Sequence, residues 1–188
     1  MGSLVIAAGT RPEIIKMAPI IRALKRKKVP SIFVHCGQHY DYSMSQQFIE
    51  DLELPEPDCS FKVRAESQGA QTAKIIIQME RLIRNASPQA VFVEGDTNYV
   101  LATALAAAKL GAPVGHIEAG LSRFDLRMTE EHNRRLTDHL STFLFAPTET
   151  AVCNLKKESV WGKIFTTGNT VIDAVMQHLP IAEKVYDT

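Results

Sequence analysis

Ala90-Val91-Phe92-Val93-Glu94-Gly95-Asp96-Thr97 leads into an alanine-rich run from Asn98 to Leu110 and then into Gly111-Ala112-Pro113-Val114-Gly115-His116-Ile117-Glu118. The two ends are short and almost wholly apolar, as strands covered on both faces are. The middle carries a helical pattern, and the glycine-then-proline pair at Gly111 and Pro113 stops it. A strand, a helix and a second strand in this order form a parallel crossover unit. Both strands end in acids, at Glu94-Gly95-Asp96 and at Glu118, on the edge of an open α/β sheet where ligands bind.

The same alternation extends in both directions. Strands are expected at Ser3–Ala8, Ser31–Cys36, Ala90–Glu94, Pro113–Glu118, Thr142–Ala146 and Ile164–Thr167, with a minor one at Phe61–Val63. Helices are expected at Pro12–Lys27, Tyr42–Asp51, Ala70–Asn85, Asn98–Leu110, Glu130–Leu140, Thr148–Lys157 and Thr170–His178. The pattern predicts a doubly wound α/β domain, a Rossmann-like parallel sheet between two helix layers. Thr10-Arg11-Pro12-Glu13 reads as a capping box with proline where the first turn tolerates it. Thr129 is the expected cap of the helix opening at Glu130. No repeat or low-complexity tract interrupts the chain.

The 188 residues suffice for one domain with a full core. Basic and acidic residues balance at 21 each, which argues against a general nucleic-acid or anionic-membrane binder. The three cysteines are widely spaced and form no CxxC pair, so reduced thiols in a cytoplasmic protein are expected rather than zinc or disulfides. The amino terminus lacks a basic segment and a long apolar core, so no signal peptide is expected. The apolar stretch from Val100 to Leu110 is too short to span a bilayer.

The polar residues of the strand ends carry the chemistry. Gly9-Thr10-Arg11-Pro12-Glu13 opens a helix whose free amides can hold an anion, with Arg11 and Lys16 in reach of a phosphate. It lacks the glycines of a Walker loop or of GxGxxG, and a capped helix with a solvated cation explains it equally well. Gln38 and His39 follow the second strand and can hydrogen-bond a sugar or phosphate; a polar loop is the plain alternative. Asp96 can serve a ligand or cap the next helix. Glu118, at the end of an apolar strand, is expected to have a raised pKa if it is desolvated, which suits acid/base work. His116 reads as a satisfied core histidine. Glu130, Asn133, Arg134 and Thr137 share a helix face, with Glu130–Arg134 as an i,i+4 pair and Glu131–Arg135 as a surface pair parallel to it. No metal-ligand spacing is present, so proton abstraction is expected to work without a metal or other cofactor.

The ordered blocks Gly9-Thr10-Arg11-Pro12-Glu13, Lys16-Met17-Ala18-Pro19, Gln38-His39, Gly95-Asp96-Thr97, His116-Ile117-Glu118-Ala119-Gly120, Glu130-Glu131-His132-Asn133-Arg134, Ala146-Pro147-Thr148-Glu149 and Thr167-Gly168-Asn169-Thr170 resemble the non-hydrolysing UDP-N-acetylglucosamine 2-epimerase family. The resemblance implies one half of a GT-B architecture, in which two Rossmann-like domains enclose the active site. It implies residues 1–168 as the amino-terminal domain, 169–188 as an interdomain linker or helix, and a carboxy-terminal UDP-binding domain absent from this chain. It further implies interconversion of UDP-N-acetylglucosamine and UDP-N-acetylmannosamine by anti elimination of UDP and re-addition with C2 inverted. Asp96, Glu118 and Glu130 map onto the family's acids, which together serve proton transfer at C2 and support of the sugar hydroxyls. Arg11, Lys16, Gln38, His39 and Arg134 map onto ligand-binding positions. Ser67-Gln68 stands where some members carry Arg-Gln for a second, allosteric UDP-sugar.

A UDP-sugar is therefore the expected substrate and a homodimer the expected assembly, formed through helices such as Ala70–Asn85 and Asn98–Leu110. Without a second domain the three acids are expected to face open water. The alternatives are an epimerase of another UDP-2-acetamido sugar and a non-catalytic half-domain that binds a sugar nucleotide or partner. A glycosyltransferase of the same architecture suits three acids less well than elimination does.

Overall fold

The computed structural model describes residues 2–37, 48–64 and 67–186. Strands β1 (Leu4–Ala8), β2 (Ser31–His35), β3 (Cys59–Ser60), β4 (Ala90–Glu94), β5 (Val114–Ile117), β6 (Phe143–Ala146) and β7 (Lys163–Thr166) form one sheet in the order β3-β2-β1-β4-β5-β6-β7. Every pairing is parallel. The chain winds outward from β1 to β3, returns to the centre at β4, and winds the other way to β7. The strand order reverses between β1 and β4, and this is where such sheets open a crevice at their carboxyl edge.

The helices are α1 (Arg11–Arg26), α2 (Gln68–Ala86), α3 (Asn98–Lys109), α4 (Thr129–Leu140), α5 (Glu149–Lys157) and α6 (Thr170–Tyr186). Alternation along the strands feeds two cores, since successive side chains point to opposite faces. Val5, Ala7, Val91 and Val93 pack against Ile75, Met79 and Ile83 of α2 and Val100 and Ala102 of α3. Ile6, Ala8 and Phe33 pack against Ile14, Met17, Ala18 and Ile21 of α1. A smaller cluster closes the sheet where Leu144 and Ala146 meet Ala151, Val152 and Leu155 of α5. Each fully buried large aliphatic contributes about 1.5–3 kcal/mol.

The box at the first turn forms around its glutamate. Glu13 accepts the amides of Thr10 at 3.1 Å and Gly9 at 2.5 Å, which gives two otherwise orphaned N–H groups a partner. Pro19 lies inside α1, buried in the core. Thr148 caps α5 by accepting from the Ala151 amide, and Ser67 caps α2 through the Ala70 amide. Ser67 thus has a local structural task.

Several expectations change. Thr129 is the first residue of α4 rather than its cap, because the Glu131 amide bonds the Met128 carbonyl and starts the helix one residue earlier. The third strand pairs through Cys59 and Ser60, while Phe61 and Val63 are apolar core residues just beyond it. The alanine run of α3 is packed inside the chain, with Ala102, Ala104, Ala106 and Ala107 buried. It is therefore no bare flank for a partner. α6 continues past His178 to Tyr186, carrying Pro180 within it. Most of the expected Tyr42–Asp51 helix lies outside the described residues, of which 48–51 are helical. Among the described residues no helix is long and apolar enough to cross a membrane.

Gly120 follows the acid at the end of β5 and adopts φ 79°, a conformation that favours glycine. A Cβ there would lie 2.5 Å from the Ala151 carbonyl oxygen and 2.8 Å from Leu155 Cγ. Gly120→Ala is expected to lower the free energy of unfolding by about 2–4 kcal/mol, combining left-handed strain with overpacking. Urea denaturation with an unchanged midpoint would overturn this.

Candidate active site

β1, β4 and β5 end side by side, and their carboxyl ends supply the polar groups. Lys16, one and a half turns into α1, reaches back over the sheet. Its ammonium lies 2.9 Å from Glu94 Oε1 and 2.5 Å from Glu118 Oε2. Asn169, just before α6, donates its side-chain amide to Glu118 Oε1 at 2.6 Å. Both oxygens of Glu118 are thus engaged, and its side chain is only 10% exposed. Its backbone sits at φ 66°, a strained value for a residue with a Cβ. Burial acts to raise its pKa, but hydrogen bonds with Glu94, Lys16 and Asn169 and the Lys16 charge outweigh it, so the carboxyl ends below the ordinary range. The expected rise is found instead on Glu94, which burial pushes up to about 9.

A second cluster lies across Gly95. Asp96, 34% exposed, forms an ion pair with Arg134 through Oδ2, and its backbone carbonyl accepts from Asn133 Nδ2 at 2.9 Å. The capping position of α3 belongs to Thr97, so the Asp96 side chain is free to face Arg134. Arg134 also binds Glu131 Oε2 at 3.0 Å. Glu131 is fully buried and accepts from the Arg123 amide at 3.0 Å, the Phe124 amide at 3.2 Å and the Ser122 hydroxyl. Burial works to raise its pKa, but these bonds prevail and lower it.

The surface pairs expected along α4 are therefore replaced. Arg134 pairs with Glu131 and Asp96 rather than with Glu130, and Arg135 pairs with Glu158 at 2.9 Å. The cause is the loop before the helix, whose amides need an acceptor and take Glu131 inward. Glu130 lies exposed on the first turn.

His116 joins the two clusters. Its Nδ1 is 2.6 Å from Asp138 Oδ1 and its Nε2 is 2.8 Å from the Gly95 carbonyl oxygen. Two acceptors require two donors, so the buried ring is an imidazolium. Burial alone would lower its pKa, but Asp138, the Gly95 carbonyl and the Asp96 charge raise it. Asp138 Oδ2 in turn accepts the Gly120 amide at 3.1 Å. One histidine thereby fixes the turn bearing Asp96 against the turn bearing Glu118. Glu13 does the same between β1 and β4, since Thr97 donates to its Oε1 at 2.6 Å.

Of the site residues read from the sequence, Lys16 meets Glu118 and Asp96 meets Arg134. Arg11 is exposed, its guanidinium 5.5 Å from the centre of the Phe48 ring. Gln38 and His39 lie outside the described residues. Glu94, Asn169 and Glu131 are additions. Glu94 had one signal, an acid closing a run of four apolar residues. Asn169 had another, its place in Thr167-Gly168-Asn169-Thr170.

The acids and the lysine gather at the reversal point of a doubly wound sheet, where such sheets bind their ligands. The family model described as UDP-N-acetylglucosamine 2-epimerase matches residues 22–188. The UDP-N-acetylglucosamine 2-epimerase of Methanococcus maripaludis is 51% identical over 180 residues, covering 95% of this chain and 49% of the relative. The Methanocaldococcus jannaschii enzyme of the same name is 50% identical, with 96% of this chain and 50% of the relative covered. The crystal structure of that enzyme in complex with UDP-GlcNAc and UDP superposes with a TM-score of 0.93, at 49% identity, over 97% of this chain and 51% of the other. The chain belongs to the UDP-N-acetylglucosamine 2-epimerase family, and it spans about half the length of the curated relatives it matches.

The His116 strut has a pH signature. A folded pKa above the ordinary 6.5 means that the native state binds the extra proton more tightly than the unfolded chain. The resulting stabilisation is complete below 6.5 and is lost as pH rises through the folded value. Asp138→Asn removes the partner charge. The stability gap between wild type and Asp138→Asn, from urea unfolding, is expected to be widest below 6.5 and to shrink above it. Parallel profiles across that range would refute the strut.

Proposed function

We propose that these residues form the acid-bearing half of a UDP-N-acetylglucosamine 2-epimerase, which interconverts UDP-N-acetylglucosamine and UDP-N-acetylmannosamine. The observation that carries the reading is Glu118 held by Lys16 and Asn169 at the sheet's reversal point, in a chain about half identical to relatives of that name. Elimination of UDP needs a proton removed at C2 and negative charge neutralised on the departing diphosphate. We assign proton transfer to Glu118, held by Lys16 and Asn169, and to Asp96 beside Arg134, and support of the sugar hydroxyls to Glu130, exposed on the first turn of α4. Arg11, whose guanidinium is exposed beside the first helix turn, supplies positive charge for a phosphate, with Gln38, His39 and Arg134 as further ligand contacts. Re-addition of UDP to the opposite face of the 2-acetamidoglucal completes the inversion.

We assign the binding of uridine and much of the diphosphate to a second domain of GT-B type, corresponding to the other half of the relatives' length. Residues 1–168 are then the first domain and 169–188 the link, and the 188 residues alone are not expected to turn over. We further place the reaction in the cytoplasm, in keeping with three free cysteines, and in a homodimer. The outward side of α2, where Ile77 is exposed, is a surface that pairing would cover. Light scattering of a strict monomer would overturn the dimer.

The test of the activity uses protein carrying these residues together with the segment that matches the rest of the relatives. Proton NMR in D2O is expected to show UDP-N-acetylmannosamine with deuterium at C2. Asp96→Asn and Glu118→Gln are each expected to lower kcat by about 100-fold or more. Absence of product from the wild type would sink the reading, and unchanged rates in both variants would remove these acids from it.

A further inference from the structure

We propose that Glu94 is a positioning residue for Glu118: a buried carboxylic acid that keeps its proton, donates it in a hydrogen bond to Glu118, and shares the Lys16 ammonium with it, so that Glu118 alone of the two presents negative charge at the sheet edge. Its consequence for turnover rests on the epimerase reading; its structural content does not.

The geometry leads there in three steps. Glu94 is 1% exposed, at the end of a strand whose neighbours are apolar. Its Oε1 accepts from Lys16 at 2.9 Å, but its buried Oε2 has no hydrogen-bond donor among the described residues. Glu118, by contrast, has a donor on each oxygen, Lys16 at 2.5 Å and Asn169 at 2.6 Å. Two carboxyls therefore compete for one ammonium in a largely dehydrated site. With both ionised, one carboxylate oxygen would be buried without a donor and the site would hold an unmatched charge, which a dehydrated site strongly disfavours. A proton on Glu94 Oε2 removes the unmatched charge and converts the orphan acceptor into a donor.

The charged groups that face Glu94 are Lys16 from α1 and Glu118 from the turn after β5. The two carboxyls accordingly move in opposite directions. Burial, with Glu118 adding to it, pushes Glu94 up to about 9 against the pull of Lys16, while Glu118 is held below its ordinary range. Neighbouring acids driven apart in this way share one proton between them.

Glutamine is the mimic of a protonated glutamate here. Its amide NH2 can donate to Glu118 and its oxygen can accept from Lys16. Alanine can do neither, so the two substitutions separate the hydrogen bond from the mere presence of a side chain.

The test is a carbon-13 NMR titration of glutamate carboxyls in the 188-residue chain, with Glu94→Gln, Glu94→Ala and, for assignment, Glu118→Gln. In the wild type one glutamate is expected to stay protonated past neutrality and titrate near about 9. That resonance is expected to vanish in Glu94→Gln. Glu118 is expected to titrate at its depressed value in the wild type and in Glu94→Gln, and to shift upward in Glu94→Ala. If Glu94→Gln instead removes a resonance that titrates near the ordinary 4.5, the proposal is overturned. An unshifted Glu118 in Glu94→Ala would overturn it as well. Where the alanine variant does not fold, the glutamine arm decides alone. In the full-length protein Glu94→Ala is expected to lower kcat by about tenfold or more with little change in KM, and Glu94→Gln to recover most of that loss. Equal losses in the two variants would count against the proposal. A wild type that makes no UDP-N-acetylmannosamine fails the epimerase reading while leaving the titrations to judge Glu94.

Discussion

The Lys16 ammonium is the constraint on which the rest of the site depends. It stands between two carboxyls at the point where strand order reverses, one of them almost fully buried. A charge in that position is tolerated only while its partners stay in place, because removing one leaves another uncompensated at a cost of several kcal/mol. Its anchor is a packed helix. Ile14, Met17 and Ala18 hold α1 against the sheet, so the ammonium is delivered to the ends of β4 and β5 by the hydrophobic core itself. The apolar pattern of one helix and the electrostatics of three turns are one problem with one solution.

The same logic repeats at each neighbouring turn. Glu13 satisfies the amides opening α1 and takes the Thr97 hydroxyl across the reversal point. His116 takes the Gly95 carbonyl and Asp138, and Asp138 takes the Gly120 amide. Glu131 collects the loop amides before α4 and steadies Arg134 beside Asp96. Each is a buried polar group with most of its capacity filled, and such networks rigidify what they join. The strained backbone at Glu118 is held by this frame: Asn169 and Lys16 grip the side chain, and Asp138 grips the chain two residues on.

What the sequence made legible follows from range. Short, almost wholly apolar runs and helix stops are local, and they yielded the parallel sheet, its helices and the capping box at Glu13. Asp96 and Glu118 were legible because they end strands, and strand ends gather at one edge in this fold. Partner choice is a tertiary matter, and there the local rules erred. The i,i+4 spacing favoured Glu130–Arg134, but loop amides claimed Glu131 and gave Arg134 an i,i+3 partner instead. Desolvation pointed to a raised pKa on Glu118, yet that shift depends on Lys16 and Asn169, 102 and 51 residues away in the chain. Glu94 was hidden for a related reason, since an acid ending an apolar strand shows nothing locally of the neighbour it shares a proton with.

α6 shows how far that coupling extends. At its start, Asn169 uses its oxygen to hold the Val171 amide and its nitrogen to hold Glu118. On the side turned to α1, Arg22 donates to Gln177 and to His178. The opposite side carries Ile172, Val175, Met176 and Leu179, all exposed, at the i, i+3, i+4, i+7 spacing of a packing face. The helix is pinned on one side by Arg22 and bare on the other. Asn169, the residue before its first turn, holds the Glu118 carboxylate by a 2.6 Å bond, so the start of the helix and the turn after β5 are fixed to one another. The acid at the end of β5 is thus tied to the start of α6 through a partner 51 residues further along the chain.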